Sequence, residues 1–120
     1  MARVTGIGGV FIRSTDRVAL SQWYRDILGV TLDADHVAII SDTPDTYSVF
    51  AFFDATSSYI GSPTRQNVMV NFRVDDLVEL RDEMMAKGVT VEAIAHEEYG
   101  LFCWTHDPDG RRIELWQPTP

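Results

Sequence analysis

The chain opens with a β-rich stretch, Val4 to Arg13, that stops at the polar run Ser14-Thr15-Asp16. Beyond it Leu20, Trp23, Tyr24, Ile27 and Leu28 follow the i, i+3, i+4, i+7, i+8 spacing of a helix with one core-facing side. Asp16 suits the N-cap of that helix, where a carboxylate accepts from a free N–H of the first turn, and Gly29 suits the left-handed position just past its end. Short strands are predicted near Val30–Leu32, Val37–Ile40 and Ser48–Phe53. The polar segment from Asp54 to Thr64 leads to a second set of elements. Asn67–Val74 is a strand; Asp75-Asp76 caps a helix with Leu77, Leu80 and Met84 on one face, and Gly88 ends it. Thr90–Ala95, Leu101–Thr105 and Arg111–Trp116 are the remaining strands, the last two joined by the turn sequence Asp107-Pro108-Asp109-Gly110.

The second set repeats the first. Val10, Arg13, Asp16, Val18 and Leu20 recur sixty positions later as Val70, Arg73, Asp76, Val78 and Leu80. Gly29-Val30-Thr31-Leu32-Asp33 recurs as Gly88-Val89-Thr90-Val91-Glu92. A duplication in a chain of 120 residues predicts one domain over 1–120, with repeat one at about 4–54, a linker at about 55–66 and repeat two at about 67–118. Each repeat reads β-α-β-β-β. The fold class is therefore α+β: two tandem βαβββ modules forming a curved mixed sheet around a cavity, with the helices outside.

Composition narrows the function. A formal charge of −8 argues against non-specific nucleic-acid binding, which needs a basic surface; its plain reading is solubility, and its sharper one is attraction for a cationic ligand. No apolar run approaches the roughly 20 residues of a membrane helix, and Met1-Ala2-Arg3-Val4-Thr5-Gly6 lacks the layout of a signal peptide. A lone cysteine, Cys103, fits a reducing cytoplasm. His36, His96 and His106 show no short metal-ligand spacing.

The duplicated order, the C-terminal run Asp107-Pro108-Asp109-Gly110-Arg111-Arg112-Ile113-Glu114-Leu115-Trp116-Gln117-Pro118 and the stretch Asn71-Phe72-Arg73-Val74-Asp75-Asp76-Leu77 resemble the vicinal oxygen chelate superfamily. That group holds glyoxalase I, extradiol dioxygenases, fosfomycin-modifying enzymes and bleomycin-resistance binding proteins. Trp23-Tyr24-Arg25-Asp26-Ile27-Leu28-Gly29 in the first helix is similar to the small bacterial glyoxalase-like branch. The resemblance implies a divalent metal with one ligand from each of four strands. Counted from Asp16 and Asp76, and aligned on the last strands, those positions are Gly9, Met69, Ala51 and Glu114. Only Glu114 carries an oxygen donor; glycine and alanine carry none, and a thioether suits a hard cation poorly. No metal and no other cofactor is expected, unless displaced donors such as His106 or Glu98 supply the missing ligands.

Strand alternation extends the inward set. It predicts a pocket lined by Phe11, Arg13, Phe53, Met69, Asn71, Arg73 and Trp116 around Glu114. A two-residue hairpin loop adds Cys103 opposite Glu114 and Thr105 opposite Arg112. Arg13 or Arg73 is a candidate cation for Glu114, the competing reading being a place at the rim bonded to Asp or backbone, and Cys103 reads as a packed thiol. Sealed core is the competing reading of the aromatic residues.

The leading expectation is a binding protein for a small organic ligand, resembling the bleomycin-resistance branch and paired as a homodimer. The alternative is an enzyme of lyase or isomerase type with Glu114 as general base or metal ligand. A dioxygenase-like enzyme, which needs iron ligands, ranks last.

Overall fold

The computed structural model describes residues 1–43 and 46–120. Its elements run β1 (Val4–Ser14), α1 (Arg17–Leu28), β2 (Val37–Thr43), β3 (Thr46–Asp54), β4 (Val68–Val74), α2 (Leu77–Ala86), β5 (Ala95–Glu97), β6 (Gly100–His106) and β7 (Arg112–Pro118). The class is α+β with mixed strand pairing, and the elements follow the tandem modules. They divide into two compact units, Gly9–Met69 and Met1–Gly8 with Val70–Pro120. The boundary follows the repeats except at β1, whose first residues belong with the second repeat.

In the Gly9–Met69 unit β3 runs parallel to β1 and antiparallel to β2. Asp16 caps α1 by accepting from the Ala19 N–H at 3.0 Å, and Gly29 closes it in the left-handed region at φ 69°. Tyr24 lays its ring against Phe50 and Phe52 of β3, with centroids 5.1 and 5.3 Å away. The rest of the predicted stripe departs from expectation. No residue of α1 is buried, and Trp23, Ile27 and Leu28 are 50%, 62% and 58% exposed. Periodicity decides which face a helix could bury, and not that anything lies over its whole length.

In the other unit β7 runs parallel to β4 and antiparallel to β6, which pairs with β5. Asp76 caps α2 through the Glu79 N–H at 3.0 Å. Here the stripe is used as predicted: Leu77 is fully buried with Val74, Cys103 and Leu115, and Leu80 and Met84 pack around them.

Two predicted strands shrink. Val30–Leu32 forms none, and Thr90–Ala95 keeps a single bridge, Val91 to Thr105, ahead of the short β5. The Arg81 side chain donates to the carbonyls of Val91 and Glu92, so part of this segment is held by a side chain in place of a ladder. Of the loop Asp42–Tyr47, positions 44 and 45 lie outside the described residues.

Candidate functional site

Glu114 is the buried polar centre of the Val70–Pro120 unit, 1% exposed. Register places it between two neighbours: Asn71 of β4 and Trp104 of β6 lie directly across from it. Both reach it. The Asn71 amide donates to Oε1 at 2.7 Å, and the Trp104 indole N–H donates to Oε2 at 3.0 Å. One step along the strands, Trp116 stands across from Arg73 and Phe102, and its ring stacks on Phe102 with centroids 5.8 Å apart. The Trp116 indole N–H donates to the Tyr99 carbonyl. A carboxylate is thus set among indole and phenyl rings, where desolvation is costly unless hydrogen bonds offset it.

Asn71 contributes a further constraint. Its Oδ1 is buried and accepts no hydrogen bond among the described residues. A Cβ built on Gly8 would lie 2.1 Å from that oxygen and 2.9 Å from the Trp116 ring. Gly8 is therefore the glycine whose missing side chain admits Asn71. Gly9, picked out from the sequence, instead faces the Val49 carbonyl, 2.5 Å from where its Cβ would be.

The hairpin register corrects another expectation. His106 pairs with Arg112, so Cys103 lies opposite Leu115 and Thr105 opposite Ile113. The loop is longer than two residues because the Asp107 carboxylate accepts from the N–H groups of Asp109 and Arg111, while the Asp107 N–H donates to the Arg111 carbonyl. A one-residue shift moves every side chain to the other face. Trp104 thereby replaces Cys103 beside Glu114. Cys103 belongs to the helix-side core, and burial pushes its thiol up to about 11. Thr105 is buried and donates to the Thr90 carbonyl at 2.7 Å.

Thr105 nevertheless borders a groove of about 490 Å³, lined also by Val89, Glu92, Trp104, His106 and Pro108. Arg112 sits over the Trp104 ring at 5.3 Å and pairs with Glu92. The groove and Glu114 therefore share one side chain, the Trp104 indole.

Arg13 and Arg73, weighed from the sequence as partners of Glu114 or as rim residues bonded to Asp or backbone, serve backbone carbonyls. Arg73 donates to the Ile7 carbonyl at 2.7 Å. Arg13, in the other unit, donates from Nε to Gln66 and from its two terminal nitrogens to Ala55, Ser57 and Gly61. It fastens the segment between the repeats. In the same unit Phe53 stacks on Tyr59 and meets Phe11 at 5.5 Å, and Met69 is fully buried. Of the predicted lining, Asn71, Arg73, Trp116 and Glu114 share a set of adjacent strands; Phe11, Arg13, Phe53 and Met69 belong to the other unit.

Trp104 and Gly8 are absent from the sequence-derived set. Three glycines, Gly6, Gly8 and Gly9, crowd one strand, which signals close backbone approach. An aspartate on each side of Pro108 signals a longer capped loop.

The donor chemistry of the superfamily's metal positions does not fit a divalent ion. Gly9 and Ala51 offer no side-chain donor, Met69 offers a thioether, and both Glu114 oxygens already accept N–H donors. His106 and Glu98, the displaced candidates, are exposed.

Comparison with known proteins places these observations in a family. The model of the glyoxalase-like domain matches residues 9–116. The chain belongs to the glyoxalase-like family. No curated protein matches it in sequence. Among solved structures it is similar to a variant of Streptomyces coelicolor methylmalonyl-CoA epimerase in complex with 2-nitronate-propionyl-CoA, with a TM-score of 0.73 and 20% identity over 98% of this chain and 100% of that one. The Mycobacterium tuberculosis methylmalonyl-CoA epimerase gives 0.71 and 21%, covering 98% of this chain and 90% of that one. A glyoxalase/bleomycin resistance protein/dioxygenase superfamily member from Vibrio splendidus gives 0.60 and 14%, covering 98% and 99%. At these identities the likeness concerns the fold. Among the described residues no helix is long and apolar enough to cross a membrane.

Proposed function

We propose that this glyoxalase-like protein binds a small organic ligand without the superfamily's metal, through the strands that carry Glu114. One observation carries the reading: the indole that holds the buried Glu114 carboxylate also floors a groove of about 490 Å³, a volume typical of small-molecule sites. Aromatic walls and an acidic chain suit a ligand with a planar or apolar body and a positive charge. A thermal-shift screen of aromatic cations tests it. A ligand that raises the melting temperature of the wild type, with the shift lost in Glu114→Gln, is the expected result. No shift with any member of the panel overturns the reading.

A second reading is favoured by the fold shared with methylmalonyl-CoA epimerases. Glu114 would then be the general base that removes a proton next to a carbonyl, as an isomerase- or lyase-type enzyme requires. Hydrogen bonds would have to stabilise the resulting enolate, since the donor set does not provide for a metal. Solvent deuterium incorporation into methylmalonyl-CoA, followed by NMR and abolished in Glu114→Gln, is the outcome this reading requires. The iron-dependent dioxygenase reading has no donor set to support it.

The protein acts as a homodimer in the cytoplasm on this proposal. Exposed Trp23, Ile27 and Leu28 on α1, with Ile39 and Ile40 on β2, are the apolar side chains a second copy would cover. Light scattering that gives a monomer at micromolar concentration refutes the pairing.

A further inference from the structure

Outside the Glu114 site, the Gly9–Met69 unit holds a nucleophile and a base in contact. Ser21 Oγ lies 3.2 Å from His36 Nδ1. Both residues are half-buried, and both line a pocket of about 200 Å³ between α1 and the segment 32–36. Val18, Leu32 and Ala34 supply its apolar wall, Gln22 and Arg25 its hydrogen-bond donors, and Asp33 a carboxylate that accepts from the N–H groups of Asp35 and Val37. Arg25 stands four residues after Ser21, one helical turn along the same face. Its Nε is engaged by Asp26, and its terminal nitrogens point to no described partner.

His36 has a backbone conformation that calls for explanation. At φ 63° it is the one non-glycine residue with positive φ among the described residues. Glycine adopts that conformation freely, whereas a side chain there carries a steric cost. The chain keeps an imidazole at this position, and its ring is used on Ser21.

We propose that Ser21 and His36 form a nucleophile–base pair that accepts the acyl group of small esters in this pocket. With Nδ1 as the acceptor, the ring proton resides on Nε2. Ser21 Oγ forms a bond to the acyl carbon as its proton passes to His36 Nδ1. The ester C–O bond then breaks, and the leaving oxygen takes that proton or departs as a stable phenolate while His36 returns it to water. The Arg25 guanidinium faces the negative charge on the acyl oxygen. Water attacks the acyl-serine with His36 again as base, which releases the acid and restores Ser21. The sum is ester plus water giving acid plus alcohol, with no further reactant. This pair shares no residue with the Glu114 site, so the inference stands or falls separately from the proposed function.

The test is acylation of the whole protein by p-nitrophenyl acetate, read by intact mass, peptide mapping and nitrophenolate release. A single acetyl group on Ser21, absent in Ser21→Ala, is expected. His36→Gly fits the positive φ and so preserves the fold, which circular dichroism verifies. Acylation should slow about 100-fold in that variant and recover on addition of free imidazole. Absence of both a Ser21 adduct and Ser21-dependent nitrophenolate release in the wild type, or a rate in His36→Gly equal to wild type, overturns the proposal.

Discussion

Trp104 and Glu114 face each other across β6 and β7, and the indole N–H of one donates to the carboxylate of the other over 3.0 Å. The bond joins a half-exposed ring at a groove to a carboxylate sealed from solvent. Trp104→Phe keeps most of the ring and removes the donor. Hydrogen bonds to charged groups contribute on the order of 2 kcal/mol, and the remaining carboxylate loses part of its compensation. Urea unfolding should show a loss of that order for Trp104→Phe, and a smaller loss when the same change is made in a Glu114→Gln background.

Gly8 is set by steric exclusion. Gly8→Ala drives a methyl group to within 2.1 Å of Asn71 Oδ1 and against Trp116, with the amide already bound to Glu114 on its other side. Overpacking of this kind costs about 1–3 kcal/mol. Gly9→Ala meets the Val49 backbone instead and should leave ligand binding at the Glu114 strands less affected than Gly8→Ala does. Thermal melts and ligand titrations of the two variants make the comparison.

Arg13 organises the segment between the repeats by donating to four carbonyls, those of Gln66, Ala55, Ser57 and Gly61. Arg13→Ala should open that segment to limited proteolysis between positions 55 and 66. Arg13→Lys should fail to restore protection, because an ammonium on a flexible stem cannot reproduce a planar fork of donors. Wild-type protection in the lysine variant would show that charge alone suffices.

Cys103 is neutral well into the alkaline range. Burial raises the thiol to about 11, above its ordinary value of 9.0, so the folded state holds the proton that an unfolded chain releases. Its contribution is complete below pH 9 and is lost as pH rises toward 11. Cys103→Ala should remove that alkaline decline from the stability curve. Disulfide-exchange reagents should label the native protein far more slowly than the urea-unfolded chain.

Much of this architecture was legible in local sequence. Asp16 and Asp76 cap the helices as predicted because a cap needs only an N–H three residues away. The sixty-residue repeat announced two similar modules, and the final strand with Glu114 announced the family. The site was legible in part: Asn71 and Glu114 share a face because both follow strand alternation within their own elements.

The partner of Glu114 was not legible, since Trp104 or Cys103 depended on one residue in a hairpin loop and on how the Asp107 carboxylate bonds to its neighbours. Nor were the targets of Arg13 or the exposure of Trp23 and Ile27. Sequence by itself determined the two helices, their N-caps and the duplication, because those rest on hydrogen bonds and periodicities spanning a few residues. The tertiary structure alone decided which strand faces which and what each long side chain reaches, because those depend on pairings between positions far apart in the chain.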